Sequence, residues 1–190
     1  TSDADCVFSP EWIKSMTSCF INDNINLASG PVSFNPQSTF FNQIQTLEFL
    51  SLIASGAAAI GLNQPIFCNG ANLAYRRKVF LEVSNYDDND IASGDDVFLL
   101  HMVKKLGPGS ILFIKKFEAI VLTDSITTFR QFINQRIRWV SKSSSYKDAY
   151  TIYTSILVFF VNSLLISLLF LSFYDNAFIN IFTFFILIKF

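Results

Sequence analysis

Two pairs of closely spaced carboxylates are candidates for metal binding or proton transfer. Asp3 and Asp5 stand one residue apart in T-S-D-A-D at positions 1–5. Residues at this spacing share one face of an extended strand, so at a strand's end both carboxylates could converge on a cation. Mg²⁺ and Mn²⁺ prefer such hard oxygen ligands together with substrate phosphates. A solvated pair on a loop is the alternative interpretation of this short motif.

The second pair, Asp95 and Asp96, closes S-G-D-D at positions 93–96, directly before an apolar helical pattern over 97–100. In the functional interpretation one of these carboxylates is a general base whose direction the helix start fixes. In the structural interpretation both complement the positive end of the helix dipole.

A third motif, Q-R-I-R-W, occupies positions 135–139. Gln135, Arg138 and Trp139 fall at i, i+3 and i+4, so they share one face of a helix. An Arg can clamp a diphosphate through two N–H bonds, and a Trp offers a flat apolar face to a sugar ring. The alternative is a juxtamembrane helix whose Arg residues meet lipid headgroups and whose Trp lies in the aromatic belt.

The fourth motif is F-C-N-G-A-N-L-A-Y-R-R at positions 67–77, in which Cys68, Asn69 and Gly70 form a polar turn. Gly70 permits close backbone approach, and Asn69 and Asn72 supply amide donors and acceptors. The alternative is an ordinary polar turn before a helix. Lone His101, midway along the helix after Asp96, is predicted to be structural.

The elements that must position these motifs alternate between helix and strand. Helices are predicted over 10–20, 43–62, 95–106 (entered through Gly94) and 127–143, and extended segments over 3–6, 31–34, 111–114 and 119–122. Along 43–62 the predicted buried face consists of Leu47, Leu50, Ala54, Ala57 and Ala58. Because Glu48 would be costly inside a bilayer, we expect a soluble or interfacial helix there.

The charge pattern divides the chain near Ala149, after which no charged residue occurs until Asp175. Residues 151–174 are long and apolar enough for a transmembrane helix, and 177–190 resemble the start of a second, truncated span. A buried core helix is the alternative for the first. Arg136, Arg138, Lys142 and Lys147 precede it, which predicts a cytoplasmic location for that side. We therefore expect one domain over 1–148 and a transmembrane region over 149–190.

Composition limits the class of protein. Hydrophobic residues make up 51% of the 190 and charged residues 15%, against about a quarter charged in soluble domains, so an all-soluble protein is not expected. The net charge of −1 gives no electrostatic reason to expect nucleic-acid binding. Three cysteines without C-x-x-C spacing argue against a zinc ribbon and favour a reducing compartment. The chain begins without Met and ends inside an apolar run, which predicts an internal fragment.

Taken in order, D-A-D, F-C-N-G-A-N-L-A-Y-R-R, S-G-D-D and Q-R-I-R-W followed by apolar spans resemble glycosyltransferase family 2. The closer resemblance is to its membrane-embedded branch, which includes cellulose, chitin and hyaluronan synthases. The resemblance runs from Thr1 to the C-terminus, and Q-x-x-R-W is its most specific element. It implies an α/β fold of the GT-A type, here the second half only, followed by transmembrane helices. The nucleotide-binding first half would lie upstream.

The resemblance also implies a role for each motif. Asp3 and Asp5 would hold the donor diphosphate through Mg²⁺ or Mn²⁺, and Asp96 would be the catalytic base with Asp95 as a supporting acid. The motif residues that would line the donor diphosphate and the acceptor end are Gln135, Arg138 and Trp139. The loop beside the acceptor would be Cys68, Asn69 and Gly70, where cellulose synthases more often carry F-C-G-S; this departure leaves the acceptor open.

The function implied is inverting transfer of a sugar from a nucleotide-diphosphate donor, expected to be a UDP-sugar, to a glycan or lipid acceptor. The enzyme would be an integral protein of the inner cell membrane, in contact with membrane lipid, with its catalytic domain cytoplasmic. Two alternatives remain open at this point: single-sugar transfer to a lipid-linked acceptor by the same site, and a non-catalytic membrane-anchored module. The helix over 43–62 would pack beneath the acceptor site, near the membrane.

Overall fold

A computed structural model describes residues 1–84, 95–143 and 146–189 of the chain. Ser93 and Gly94 of the S-G-D-D motif lie outside these described residues. Contacts divide the chain into two units, 1–148 and 149–190.

The first unit mixes short strands with helices. Its strands are β1 (Val7–Phe8), β2 (Leu27–Ser29), β3 (Val32–Phe34), β4 (Leu73–Tyr75), β5 (Ile111–Phe113) and β6 (Val121–Thr123). Within the described residues they form two three-stranded sheets, ordered β1-β6-β3 and β4-β2-β5. In each sheet the central strand has one antiparallel and one parallel neighbour, as β2 has with β4 and β5. This arrangement is an α/β fold.

Asn72 links the two sheets at their core. Its side chain is fully buried, and Nδ2 donates 2.7 Å hydrogen bonds to the carbonyls of Pro31 and Ala119. Its Oδ1 accepts from Nε1 of Trp12 at 3.0 Å. A Cβ on Gly30 would lie 2.4 Å from this amide, so only glycine fits there. A buried amide with each of these groups paired fixes one arrangement of the segments around it.

The helices of the first unit are α1 (Trp12–Thr17), α2 (Phe40–Gly61), α3 (Arg77–Ser84), α4 (Asp95–Lys104) and α5 (Phe129–Ser143). Thr39 caps α2, because its hydroxyl accepts from the N–H of Asn42. Helix α4 ends two residues earlier than predicted, and the chain then turns through Gly107 and Gly109, whose φ angles are +136° and +78°. These are backbone conformations that glycine adopts readily.

The predicted buried face of α2 is wrong. Leu47 is 65% exposed and Leu50 59% exposed. The buried positions are instead Asn42, Gln45, Phe49, Ile53, Gly56, Ala59 and Ile60. Because α2 is apolar almost all round, periodicity does not select a face. Two specific contacts do: Nε2 of Gln45 donates to the Ile126 carbonyl at 2.9 Å, and Gly56 lies so close to Phe67 that a Cβ would come within 3.1 Å of its carbonyl oxygen.

Two predicted extended segments also differ from the structure. Residues 3–6 form a turn ahead of β1, closed by a hydrogen bond from the N–H of Cys6 to the carbonyl of Asp3 at 3.2 Å. The segment 119–122 is divided between a 3₁₀ turn over Phe117–Ala119 and strand β6. Local turn hydrogen bonds outweigh the extended preference in both segments.

The second unit consists of α6 (Ala149–Leu171) and α7 (Ala177–Lys189), which pack against each other. Its polar side chains bond back to the helix: Thr154 Oγ1 donates to the Tyr150 carbonyl and Asn162 Nδ2 to the Val158 carbonyl, both at 2.8 Å. The side chain of Asp175 accepts a 2.8 Å hydrogen bond from the N–H of Ala177, the first residue of α7. Most of the apolar surface of α6 is exposed within this unit.

Among the described residues, α2 and α6 are the helices long and apolar enough to cross a membrane, and α7 contains a shorter apolar stretch, Ala177–Leu187. Length and composition alone do not separate a span from a core helix. Contacts give further information on α2, which packs against β3 and β5 of the first unit as a core helix does.

Candidate active site

Asp96 occupies the second position of α4, and two backbone amides hold its carboxylate. Oδ1 accepts from the N–H of Val97 and Oδ2 from the N–H of Gly70, both at 2.9 Å. The second bond joins the start of α4 to the fourth motif. A carboxylate with one oxygen on each amide keeps a fixed orientation, as a general base requires. Asp95 is the first residue of α4.

Gly70 leaves the space beside Asp96 uncrowded. A Cβ at this position would lie 3.3 Å from Oδ2 of Asp96, which is tighter than ordinary van der Waals contact. The neighbouring Asn69 shapes the turn, because its Oδ1 accepts from the N–H of Ala71 at 3.0 Å. The turn therefore presents a backbone N–H, with no side chain in the way, to the carboxylate of Asp96.

Cys68 lies behind the loop, in the core. Its side chain is 2% exposed and packs with Leu27, Ile60 and Leu73. The thiol donates to the carbonyl of Asp96 at 3.3 Å. Burial, together with the charge of Asp96, raises the pKa of the Cys68 thiol well above its ordinary value. Cys68 therefore stays protonated and supports Asp96 from the buried side.

The segment carrying Asp3 and Asp5 begins beside the same loop. Oγ1 of Thr1 donates to the carbonyl of Gly70 at 2.9 Å, and the N–H of Leu73 donates to the Thr1 carbonyl at 3.3 Å. Further along, Oγ1 of Thr123 donates to Oδ2 of Asp5 at 3.4 Å, which ties the motif to the end of β6. The D-x-D segment thus runs from the Gly70 turn to the first sheet.

The donor set at this segment fits a divalent cation. The carboxylate oxygens of Asp3 and Asp5 and the Sγ of Cys6 can lie within 4.8 Å of one another. Asp3 and Asp5 are exposed, so a cation held there could also reach a diphosphate and water. Two carboxylate ligands suit Mg²⁺ or Mn²⁺, whereas the neighbouring thiol is a softer ligand. The turn between residues 3 and 6 brings the two carboxylates together, rather than the strand that the sequence predicted.

The Q-x-x-R-W motif lies on α5, which packs against α2. The aromatic ring of Trp139 is half-buried and lies 6.4 Å from the ring of Phe49. Arg138 is exposed, and its guanidinium has no hydrogen bond or ion pair within the part of the chain that the structure describes. Gln135 is half-buried beside Arg136.

One apolar cluster brings three of the motifs together. Its buried members are Val32, Phe34, Phe49, Ile53 and Ala71, and its half-buried members include Cys6, Phe67 and Trp139. Cys6 follows the D-x-D pair, Phe67 and Ala71 flank the Cys68–Gly70 loop, and Trp139 ends the third motif. Gly70 also donates to Asp96, so contacts within the first unit connect segments of all four motifs.

Two further residues, Glu48 and Tyr146, contact this region, although the sequence motifs do not include them. Glu48 of α2 forms an ion pair with Arg136 of α5. Tyr146 contacts the ring of Phe98 on α4, with centroids 5.8 Å apart. Burial raises the pKa of Tyr146, and so does the negative charge of Asp96, so Tyr146 lies close enough to the candidate base to interact with its charge. Glu48 could have been found from the sequence, because it is an acidic residue in a largely apolar helix. No sequence feature pointed to Tyr146.

Comparison with known proteins identifies one family. The family model described as glycosyl transferase family group 2 matches residues 1–189, almost the whole chain. A search of curated protein sequences finds no match.

Proposed function

Because the chain belongs to glycosyl transferase family group 2 and is a glycosyltransferase, we propose that it catalyses inverting transfer of a sugar from a nucleotide-diphosphate donor, with Asp96 as the general base. In this proposal the first unit is the second half of a GT-A domain, and the donor is a UDP-sugar. The acceptor is the hydroxyl of a glycan or of a lipid-linked sugar.

The observation that carries the proposal is the fixation of Asp96. Its carboxylate is held by the amides of Gly70 and Val97, and the Gly70 turn is itself bonded to Thr1 at the start of the D-x-D segment. In the proposed reaction Asp96 takes the proton from the acceptor hydroxyl while that oxygen attacks the anomeric carbon. The bond from that carbon to the diphosphate oxygen breaks as the new bond forms, so the nucleoside diphosphate leaves and the configuration is inverted.

The other motifs bind the substrates. Arg138, exposed and without a partner in the described part of the chain, is available to pair with the donor diphosphate. Gln135 and Trp139 line the same region and contact the acceptor end, and the Asn69–Gly70 turn lies on the acceptor side. Asp3 and Asp5 would hold a divalent cation, which would supply positive charge to a diphosphate.

The proposed location is the cytoplasmic face of the inner membrane, as an integral membrane protein. Helix α6 has the length and composition of a span, and Arg136, Arg138 and Lys147 precede it. The exposed apolar side chains of α2, including Phe40, Leu47 and Leu50, suit contact with membrane lipid. Glu48, by contrast, is paired within the first unit, which supports α2 as an interfacial helix rather than a span.

The proposal is tested with the full-length protein in its membranes, incubated with radiolabelled UDP-glucose or UDP-N-acetylglucosamine in the presence and absence of Mn²⁺ or Mg²⁺. We expect metal-dependent transfer, and product length on a gel then separates a polymerase from a single-addition enzyme. Asp96→Asn should lower the transfer rate by about 10²–10⁴-fold, because an amide cannot accept the proton. Asp95→Asn is the matched control and should have a smaller effect.

The structure sets a condition on this test. Each oxygen of Asp96 accepts one backbone N–H, so an Asn at 96 leaves one of these amides facing its NH₂ group. We expect a stability cost of about 1–3 kcal/mol for that loss. UDP affinity is therefore measured in parallel. Loss of UDP binding together with the rate would point to a structural role, and a near-wild-type rate would remove Asp96 from the mechanism.

A further inference from the structure

Glu48, the acidic residue of helix α2, is held by two bonds from Arg136, the first arginine of Q-R-I-R-W on α5. Nε of Arg136 donates to Oε1 of Glu48 at 2.8 Å, and Nη2 contacts Oε2. The side chain of Arg136 is 18% exposed and that of Glu48 is 37% exposed, so both are partly shielded from water. A guanidinium that meets a carboxylate with two parallel bonds has a defined orientation as well as a favourable charge interaction.

The rest of the same guanidinium contacts two of the three motif residues. Nη1 of Arg136 donates to Oε1 of Gln135 at 2.7 Å. Its Cζ lies 4.3 Å from the ring centroid of Trp139 and equally far from that of Phe132. The contact with Gln135 fixes which end of the amide faces Arg136, so the NH₂ group is left to donate elsewhere. The contact with Trp139 restricts the ring through a cation–π interaction.

The two arginines of the motif therefore have different surroundings. Arg136 is occupied by Glu48, Gln135 and two aromatic rings, whereas Arg138 is exposed and has no partner within the described ranges. Sequence spacing alone assigns Arg138 to the shared face and says nothing of Arg136.

We propose that Glu48 and Arg136 are positioning residues for the substrate-binding face of α5: Glu48 orients the guanidinium of Arg136, which in turn sets the amide of Gln135 and the ring of Trp139. This inference rests on the proposed function, because it assigns those two side chains to substrate. Since Glu48 belongs to α2 and the motif to α5, the ion pair also keeps the two helices in register at the site. Misplacement of a substrate-binding group by about 1 Å can cost about 10²-fold in rate.

The test compares three variants of the full-length protein in membranes. Glu48→Gln removes the charge that orients Arg136 and retains most of the side chain's shape. Arg136→Lys retains the positive charge but loses the planar fork that makes the paired bonds and the ring contact. Glu82→Gln is the matched control, because Glu82 forms an exposed ion pair with Lys78 on α3.

Two readouts are combined. The first is kcat and KM for whichever UDP-sugar the wild type uses, with UDP as the competing ligand. The second is the ¹⁹F resonance of Trp139 in protein labelled with 5-fluorotryptophan, assigned by its loss in Trp139→Phe. A merely structural effect lowers the amount of active enzyme but leaves KM and the resonance of the folded fraction unchanged.

We expect Glu48→Gln to lower kcat/KM by about 10- to 100-fold, partly through a higher KM, and to shift or broaden the Trp139 resonance. Arg136→Lys should have an intermediate effect on both, and it keeps the proposal testable if Glu48→Gln does not fold. Glu82→Gln should change neither.

Three outcomes overturn the inference: both readouts at wild-type values, a shifted resonance with normal kinetics, or reduced kcat/KM with an unchanged resonance. If the wild-type protein transfers no sugar at all, the proposed function fails instead. The resonance alone then reports whether Glu48 orders Trp139.

Discussion

The backbone N–H of Gly70 donates a 2.9 Å hydrogen bond to Oδ2 of Asp96, across 26 residues of sequence. This bond joins the turn of the F-C-N-G motif to the start of α4. The thiol of Cys68 donates to the backbone carbonyl of the same aspartate from the buried side. The turn therefore helps to hold the candidate base in place, so substitutions in the turn should change the rate of sugar transfer.

Gly70→Ala tests this relationship. The added Cβ would lie 3.3 Å from Oδ2 of Asp96, so the carboxylate must shift by a few tenths of an ångström. We expect the transfer rate to fall by about tenfold with little change in UDP affinity, since a small misplacement acts on the proton-transfer step. Initial rates and UDP inhibition, measured in the same membranes, check this.

Gly61→Ala is the control for that substitution. A Cβ at Gly61, the last residue of α2, meets no atom within 4 Å. Alanine there should leave the transfer rate unchanged, because the added methyl group meets no neighbouring atom. If Gly70→Ala behaved like Gly61→Ala, the contact with Asp96 would have no catalytic importance.

Metal dependence should change when either carboxylate of the D-x-D pair is removed. We expect Asp3→Ala and Asp5→Ala each to raise the Mn²⁺ concentration for half-maximal transfer by about 10-fold or more, because loss even of an outer-shell partner typically costs 10- to 100-fold in metal affinity. Asp23→Ala is the control, since Asp23 is exposed and pairs only loosely, at 3.5 Å, with Arg76. Two unchanged Mn²⁺ titrations would mean that the cation binds elsewhere.

The buried thiol should be inert. Burial raises the pKa of Cys68 well above its usual value, and the thiolate is the reactive form. In the native protein we expect maleimide to label half-buried Cys6 before Cys68, and Cys68 to react only on unfolding. Peptide mass spectrometry after a short exposure at neutral pH measures the order of labelling; early labelling of Cys68 would contradict the burial of this loop.

Sequence reasoning located the motifs but not the contacts that decide their roles. Residue types and spacing were sufficient to locate the four motifs in the sequence. The lack of charged residues after Ala149 was sufficient to predict helix α6. The pairing of Arg136 with Glu48 spans 88 residues, so spacing within Q-R-I-R-W could not separate the role of Arg136 from that of Arg138. The face of α2 was not predictable either, because tertiary contacts at Gln45 and Gly56 select it.

His101, the only histidine among these 190 residues, should make the stability of the protein depend on pH. His101 is 8% exposed on α4, with its ring against Tyr146 at a centroid distance of 5.6 Å. Burial lowers the pKa of His101. The charges of Lys104 and Lys105 act in the same direction, whereas Asp148 and a hydrogen bond to the backbone of Ile66 oppose the shift.

A pKa lowered on folding means that the unfolded chain binds the proton more readily. Stability from neutral His101 is therefore complete above the unfolded pKa of about 6.5 and decreases as the pH falls from there towards the lower pKa of the folded state. We expect the thermal unfolding midpoint of the detergent-solubilised protein to decrease as the pH is lowered from 7.5 to 5.5. In His101→Phe, which retains a ring against Tyr146 but cannot titrate, the fall should be smaller. Asp148→Asn removes the main charge that opposes the shift, so it should make the fall steeper. Equal pH dependence in all three proteins would show that His101 is not the group responsible.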